Sequence, residues 1–333
     1  MKGTYMENKI ESNKKIAPCN KNASKQVRDV LEYLYGIQGY KIITGQHTQT
    51  REQEELNYIY DVTGKLPALC GFELLSYSPN INYETCDEEC LLEIRNNQGT
   101  LDNALEWAEK KKGLLTFTWH WFSPLLNRDK GFYTKNSTFD ASLATITGTK
   151  EYEAFLYDMD CMAEHLKVFR DKKIPILWRP FHESEGDWFW WSAKGPEVAK
   201  ILYRMMFDRY TNFHELNNLI WVWNSPLAAG YVGDDVVDVI SRDLYPPAHQ
   251  HTDLLKEYEE LRSITMAEKV VAVGEIGTLP SIPSIIEHQV PWSYYMTWSL
   301  DFGRTDKWTS KEELQRAYDH KDAITLDKLP KLY

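Results

Sequence analysis

The 333-residue sequence predicts an α/β protein of one domain, a (β/α)8 TIM barrel with extended βα-loops. Three observations carry this. Eight short apolar, β-branched or aromatic runs recur along the chain, with helical patterns between several of them. Each run begins apolar and ends in polar or aromatic residues. After residue 18 no linker, low-complexity tract or internal repeat divides the chain. Continuous apolar runs suit strands buried on both faces. Alternation of strand and helix implies a parallel sheet with right-handed crossovers. Eight such units suit a closed barrel better than an open sheet.

The predicted strands, in order, fall in the runs Lys41–His47, Leu66–Glu73, Gly113–His120, Ile174–Glu183, Leu219–Asn224, Val236–Tyr245, Lys269–Gly277 and Trp292–Trp298. Helices are predicted at Leu101–Lys112, with Leu101, Ala104, Leu105 and Ala108 on one stripe, at Tyr152–Arg170, and at Pro196–Tyr210, where proline sits in the first turn. The gap between the fifth and sixth runs is short for a crossover helix. The segments after the second, third and fourth runs are long enough for extra loops. Residues 1–18 are polar and read as a flexible leader, leaving 19–333 as the folded domain.

Composition narrows the function classes. Charged residues are 26% and hydrophobic ones 43%, which excludes a disordered chain. With 49 acidic against 38 basic residues the net charge is -11, which argues against a nucleic-acid partner. The N-terminus has no apolar run, and no stretch approaches the ~18 apolar residues of a spanning helix. No membrane association is therefore expected. The location expected is cytoplasmic as written, or secreted if a leader is removed ahead of Met1, and the state expected is monomeric. Five cysteines, Cys19, Cys70, Cys86, Cys90 and Cys161, are an odd count and no disulfide framework. Cys86 and Cys90 are near enough for a local bridge, but unpaired thiols are the plainer reading. No third and fourth ligand follow at zinc spacing, so no metal is expected there. Aromatic residues reach 13%, with 12 Trp and 20 Tyr, and flat apolar rings suit the C–H faces of sugars or bases.

The polar strand ends are Gln46 and His47, Glu73, His120, Arg179 with His182 and Glu183, Asn224, Asp243 with Tyr245, Glu275, and Trp298. In a barrel these gather at one face, where βα-loops build active sites. Glu183 and Glu275 end strands that are not neighbours, so they can face each other across the mouth. Two carboxyl groups flanking a cleft are the minimal apparatus for glycosidic cleavage, one protonated and one ionised. Glu183 lies among Trp178, Phe181, His182 and the run Trp188–Trp191, where apolar contact favours its neutral form. Arg179 and Tyr245 would stabilise the charge of Glu275 if they converge on it. Two unrelated, salt-bridged acids remain the alternative on spacing alone. In Gly186–Trp191 four aromatic rings are consecutive, which places Trp188 in the cleft and Phe189 with one of Trp190 or Trp191 in the core. Strand alternation puts His120 on one side and Trp119 and Trp121 on the other.

The segments W-R-P-F-H-E at 178–183 and G-D-W-F-W-W at 186–191 resemble the acid/base motif of glycoside hydrolase family 26, the β-mannanase family. T-W-H-W at 118–121, D-L-Y at 243–245, V-G-E-I-G at 273–277, M-T-W-S at 296–299 and I-T-G-Q-H at 43–47 are similar to its other signature segments, in order. The resemblance spans residues 43–303. It implies a (β/α)8 barrel and a retaining double displacement on β-1,4-mannan or mannooligosaccharides, with no metal or organic cofactor. It makes Glu183 the general acid/base and Glu275 the nucleophile. His182 would contact the sugar at the point of cleavage. Tyr245 would hydrogen-bond the nucleophile, with Asp243 in the same cluster. His120, Arg179 and Trp298 would line the subsite of the attacked sugar, and Trp188 the leaving-group side. The sequence departs from the commonest pattern at Ser184 and Glu185, and the second adds a carboxylate two residues after the acid.

A retaining pair predicts carboxyl groups about 5–5.5 Å apart, an inverting pair roughly 6.5–9.5 Å. Other β-glycans, β-1,3-xylan or mixed-linkage β-glucan, fit the same mechanism, and a non-catalytic carbohydrate-binding barrel is the rival of another class. A metal-dependent hydrolase using His47, His120 and His182 lacks the closely spaced His pair on one strand. A phosphate-binding barrel is disfavoured because Gly274 and Gly277 frame a glutamate.

Overall fold

The computed structural model describes residues 16–333. Most of the predicted leader, residues 1–15, lies outside the described residues. Eight parallel strands close into a barrel in chain order. They are β1 (Gly45–Thr48), β2 (Leu69–Glu73), β3 (Leu114–Thr118), β4 (Ile176–Arg179), β5 (Leu219–Asn224), β6 (Val239–Leu244), β7 (Val270–Ile276) and β8 (Tyr295–Thr297). Seven lie inside their predicted runs, and β1 overruns the end of its own, His47, by one residue. β1 pairs with β8 through Gln46 and Thr297, which shuts the ring.

Two apolar cores follow from strand alternation. Cys70, Phe72, Leu115, Phe117, Trp178, Trp221, Val271 and Val273 point outward and pack under the surrounding helices. Leu69, Leu114, Leu177, Ile220, Val222, Val239, Val270 and Ala272 point inward and fill the barrel. The inward core is closed from below by the helix Lys25–Gly36, which buries Val27, Val30, Leu31 and Leu34 against it. Ser24 caps that helix, its side chain accepting from the Val27 amide. This helix and the strand Ala323–Ile324 are absent from the sequence reading; the latter pairs in parallel with Ile42–Ile43, which lies at the start of the first predicted run.

The predicted helices form with shifted ends. Thr100–Glu106 continues through a π-helical turn, Trp107–Lys111. Lys150–Asp171 starts at Thr149, whose hydroxyl accepts from the Tyr152 amide at 3.0 Å. Pro196–Asp208 runs on through a second π turn, Arg209–Phe213. Between β5 and β6 two 3-10 turns, Ala228–Gly230 and Asp234–Val236, stand in for a crossover helix. Among the described residues, no helix is long and apolar enough to cross a membrane.

Candidate active site

Inward parity delivers most of the site. Glu73 shares the inward face of Leu69, Thr118 that of Leu114, Arg179 that of Leu177, Asn224 that of Val222, and Asp243 that of Val239. Glu275 breaks the rule. Counting by twos from Ala272 puts Gly274 inward and Glu275 outward. The register between β6 and β7 slips there: Arg242 pairs with Val273, but Asp243 pairs with Glu275. This bulge turns Glu275 into the barrel mouth. Gly274 is the residue that permits it, because a Cβ there would lie 2.4 Å from Asn224 Nδ2 and 2.6 Å from Asp243 Oδ1.

The acids sit in one polar network. Oxygens of Glu183, Asp243 and Glu275 all lie within 4.8 Å of one another. Arg179 is bound between two of them. It donates to Asp243 Oδ2 at 2.9 Å, to Thr118 Oγ1 at 2.9 Å and, through Nη2, to Glu275 Oε1. Tyr245 donates its phenol proton to Glu275 Oε2 at 2.7 Å. The amide of Asn224 donates to Asp243 Oδ1 at 2.8 Å, while its carbonyl accepts the Glu183 backbone N–H at 2.9 Å. Asn224 therefore ties the loop carrying Glu183 to the network holding Glu275. That loop is strained, with Phe181 at φ +52° and Glu183 at φ +53°, in the left-handed region that side chains disfavour.

Trp188 donates from Nε1 to Glu183 Oε2 at 2.8 Å and is 42% exposed at the rim. Gly186 leaves room for it, since a Cβ there would meet the indole at 1.9 Å. Phe189, Trp190 and Trp191 are all buried, so both Trp190 and Trp191 join the core rather than one of them. Trp190 donates to the Trp121 carbonyl, and Trp191 to the His182 carbonyl. Trp119 and Trp121 stack on each other at 4.0 Å, and His120 faces the cleft instead. Its Nδ1 meets Glu73 Oε2 at 2.7 Å, and its Nε2 meets His182 Nε2 at 3.2 Å. Trp298 stacks on His47 at 4.3 Å.

The cleft at these atoms encloses about 230 Å³, and its lining includes His120, His182, Glu183, Tyr245, Glu275 and Trp298. Arg179, expected to line the subsite of the attacked sugar, and Asp243, expected in the cluster around Glu275, both lie beneath that surface with side chains 2% exposed. Arg179 bridges Asp243 and Glu275 there. Lys130, Phe132 and Tyr133, from the long loop after β3, and Glu93 also line the cleft. No sequence signal marks Lys130, Phe132 or Tyr133, because that loop has no periodicity, and Glu93 lies on the helix Glu88–Asn97 without a strand-end position to single it out. Glu73 and Asn224 are visible in the sequence as polar strand ends, but their partners are not.

The electrostatics separate the two glutamates. Burial, then the charges of Asp243 and Glu275, push Glu183 up to about 8. Burial and Asp243 push Glu275 up to about 7, against the pull of Arg179 and Tyr245. Of the pair, Glu275 alone touches the guanidinium and the phenol, so it ionises first and Glu183 keeps its proton. Burial pulls His120 down, but Glu73 reverses this and the net direction is up. Burial, with the nearby His120 and Arg179, pulls His182 well down, so it is neutral. The arrangement offers one acid, one carboxylate and an aromatic floor.

Comparison with known proteins follows the same lines. The model of glycosyl hydrolase family 26 matches residues 19–328. A mannan endo-1,4-beta-mannosidase of Thermothelomyces thermophilus is 36% identical over 322 residues, covering 93% of this chain and 62% of the relative. Mannan endo-1,4-beta-mannosidase A of Piromyces sp is 31% identical, covering 92% of this chain and 49% of the relative. The chain thus spans about half to three fifths of the length of these curated relatives. Among solved structures, the Podospora anserina GH26-CBM35 beta-(1,4)-mannanase superposes with a TM-score of 0.85 at 32% identity, over 95% of this chain and 69% of that one. The beta-mannanase of a symbiotic protist of the termite Reticulitermes speratus, complexed with gluco-manno-oligosaccharide, gives 0.84 at 29% identity, over 95% and 98%.

Proposed function

The chain belongs to glycosyl hydrolase family 26, and from that membership we propose that it cleaves β-1,4-mannosidic linkages in mannan-type polysaccharides with retention of configuration. One observation carries the mechanism: oxygens of Glu183 and Glu275 lie within 4.8 Å, with a donor set that keeps one neutral and the other charged. That closeness favours a retaining pair, because an inverting pair needs roughly 6.5–9.5 Å to admit water. The names of the relatives supply the substrate class.

Glu275 attacks the anomeric carbon while Glu183 protonates the departing glycosidic oxygen. A glycosyl ester forms on Glu275. Glu183, now ionised, takes a proton from water, which attacks the same carbon and releases the sugar. Arg179 and Tyr245 hold the Glu275 carboxylate in line and accept its changing charge without moving. Trp188 orients the acid oxygen toward the leaving group. His120 and His182 bind hydroxyls of the attacked sugar, with Trp298 beneath its C–H face.

The test is product analysis on β-1,4-mannan, β-1,3-xylan and mixed-linkage β-glucan, with Glu183→Ala and Glu275→Ala alongside. The expected result is mannooligosaccharides of retained anomeric configuration from the wild type and almost none from either variant. Product lengths then distinguish mid-chain from terminal cutting. Cleavage of another glycan through the same glutamates would replace the substrate and keep the mechanism. Activity indifferent to both substitutions, or no cleavage at all, would overturn the reading.

A further inference from the structure

Away from the carboxylate network, two loops meet at a second cluster of ligand-type atoms. Cys86 and Cys90 flank the start of the helix Glu88–Asn97, and Asp129 comes from the long loop after β3. One ligand atom from each lies within 4.8 Å of the other two. We propose that Cys86, Cys90 and Asp129 form a binding site for a thiophilic divalent cation, Zn2+ above all, which fastens these two loops together beside the cleft.

The donor chemistry selects the ion. Two thiolates and one carboxylate are a soft-biased set that suits Zn2+ rather than Mg2+ or Ca2+. The C-x3-C spacing falls within the range of zinc-binding cysteine pairs, and the third ligand missing from the sequence pattern arrives through tertiary structure. Zinc–sulfur and zinc–oxygen bonds of about 2.3 and 2.0–2.2 Å put tetrahedral ligand atoms roughly 3.5–3.8 Å apart. Side-chain adjustment of about 1 Å closes the present arrangement around an ion. Water fills the fourth position.

Burial pushes both thiols up, so an ion has to displace their protons, and one backbone donor works in its favour. Both cysteines are reduced, and Cys90 is buried. The backbone N–H of Lys130 hydrogen-bonds to both sulfurs. Cys90 lies in the first turn of a ten-residue helix, and the side chain of Asp87 caps its amide at 2.8 Å. Binding replaces two S–H bonds by two S–Zn bonds and releases both protons to solvent. No electron transfer is involved.

The consequence reaches the cleft through the next residue. Lys130 follows Asp129 directly, lines the cleft, and pairs with Glu89 at 3.1 Å and Glu93 at 3.3 Å on the same helix. An ion at the cluster therefore fixes the wall that carries Lys130, Phe132 and Tyr133. The proposal does not depend on which glycan the cleft takes.

The experiment is a titration of the full chain, reduced and stripped with a chelator, first with Co2+ and then with Zn2+. One equivalent of Co2+ should produce an intense near-ultraviolet thiolate-to-cobalt band, which Zn2+ then bleaches. Cys90→Ser or the less buried Cys86→Ser should each weaken binding at least about 100-fold, and Asp129→Asn about 10-fold. Zn2+ should raise the melting temperature of the wild type and not of Cys86→Ser. If Cys90→Ser does not fold, Cys86→Ser and Asp129→Asn still decide the matter. The absence of a charge-transfer band would overturn the proposal. So would a band that survives Cys86→Ser, or a native Cys86–Cys90 disulfide whose reduction yields no cobalt uptake.

Discussion

Replacing Tyr245 with Phe removes one hydroxyl beside Glu275 and leaves the ring in place. Although the Tyr245 ring is half exposed, its hydroxyl meets a carboxylate that is only 3% exposed, at 2.7 Å. A charge-assisted hydrogen bond of this kind contributes about 1.5–3 kcal/mol. At about 1.4 kcal/mol per pKa unit, its loss moves the Glu275 carboxyl by about 1–2 units. The direction is upward, because the phenol donates more strongly to the ionised form than to the neutral one. In the proposed double displacement Glu275 must be ionised to attack, so the acidic limb of kcat/KM against pH is expected near 7. Glu183 must keep its proton, so its value of about 8 bounds the alkaline side. In the variant the acidic limb reaches or passes that bound, the active window closes, and rates on the acid side fall about 10–100-fold. The assay is initial rates on a soluble mannooligosaccharide across pH 4–10, with circular dichroism to verify folding. An acidic limb that stays in place, or moves down, would refute the role given to Tyr245.

Three further outcomes follow from the same geometry. Gly274→Ala drives a methyl into Asn224 and Asp243, so the fold should lose about 1–3 kcal/mol in chemical denaturation, with kcat falling more steeply than KM rises; unchanged kcat would mean the bulge does not set the Glu275 position. Gly186→Ala displaces the Trp188 indole and breaks its bond to Glu183, so it should match Trp188→Phe in lowering kcat about 10-fold, and steady-state kinetics on the two variants compare them directly. Glu73→Gln removes the charge that raises His120, so the imidazole should titrate at lower pH by NMR while KM increases; an unmoved titration would show that Glu73 is not the partner that matters.

The eight strands were legible in the sequence because a strand buried on both faces must be apolar throughout. The strand-end residues were legible because a barrel mouth is the one place on such strands where polar groups face solvent. The motif around Glu183 was legible from its residue string, but three of the four consecutive rings join the core and Trp188 alone stays at the rim. The helix Lys25–Gly36 was not read, because its amphipathic face has meaning only against the open bottom of a barrel. Lys130, Phe132 and Tyr133 were out of reach because a long loop carries no periodic signal that says which cleft it will line.

What the sequence by itself determined is the period of the chain: which segments are strands and which ends are polar; the choice of Glu183 and Glu275 among its acids came from a family resemblance. Tertiary structure decided the rest. Strict alternation turns Glu275 away from the barrel mouth, and a one-residue slip against β6, open only to a residue without a Cβ, turns it back. Arg179, which the pattern places on the cleft wall, goes beneath it, because two buried carboxylates need a buried cation between them. Asp129 reaches Cys86 and Cys90 only because β2 and β3 are neighbours in the ring. Local pattern fixes which face a side chain takes along its own strand; which partner it meets depends on register and loop path, and those are set by the whole closed barrel.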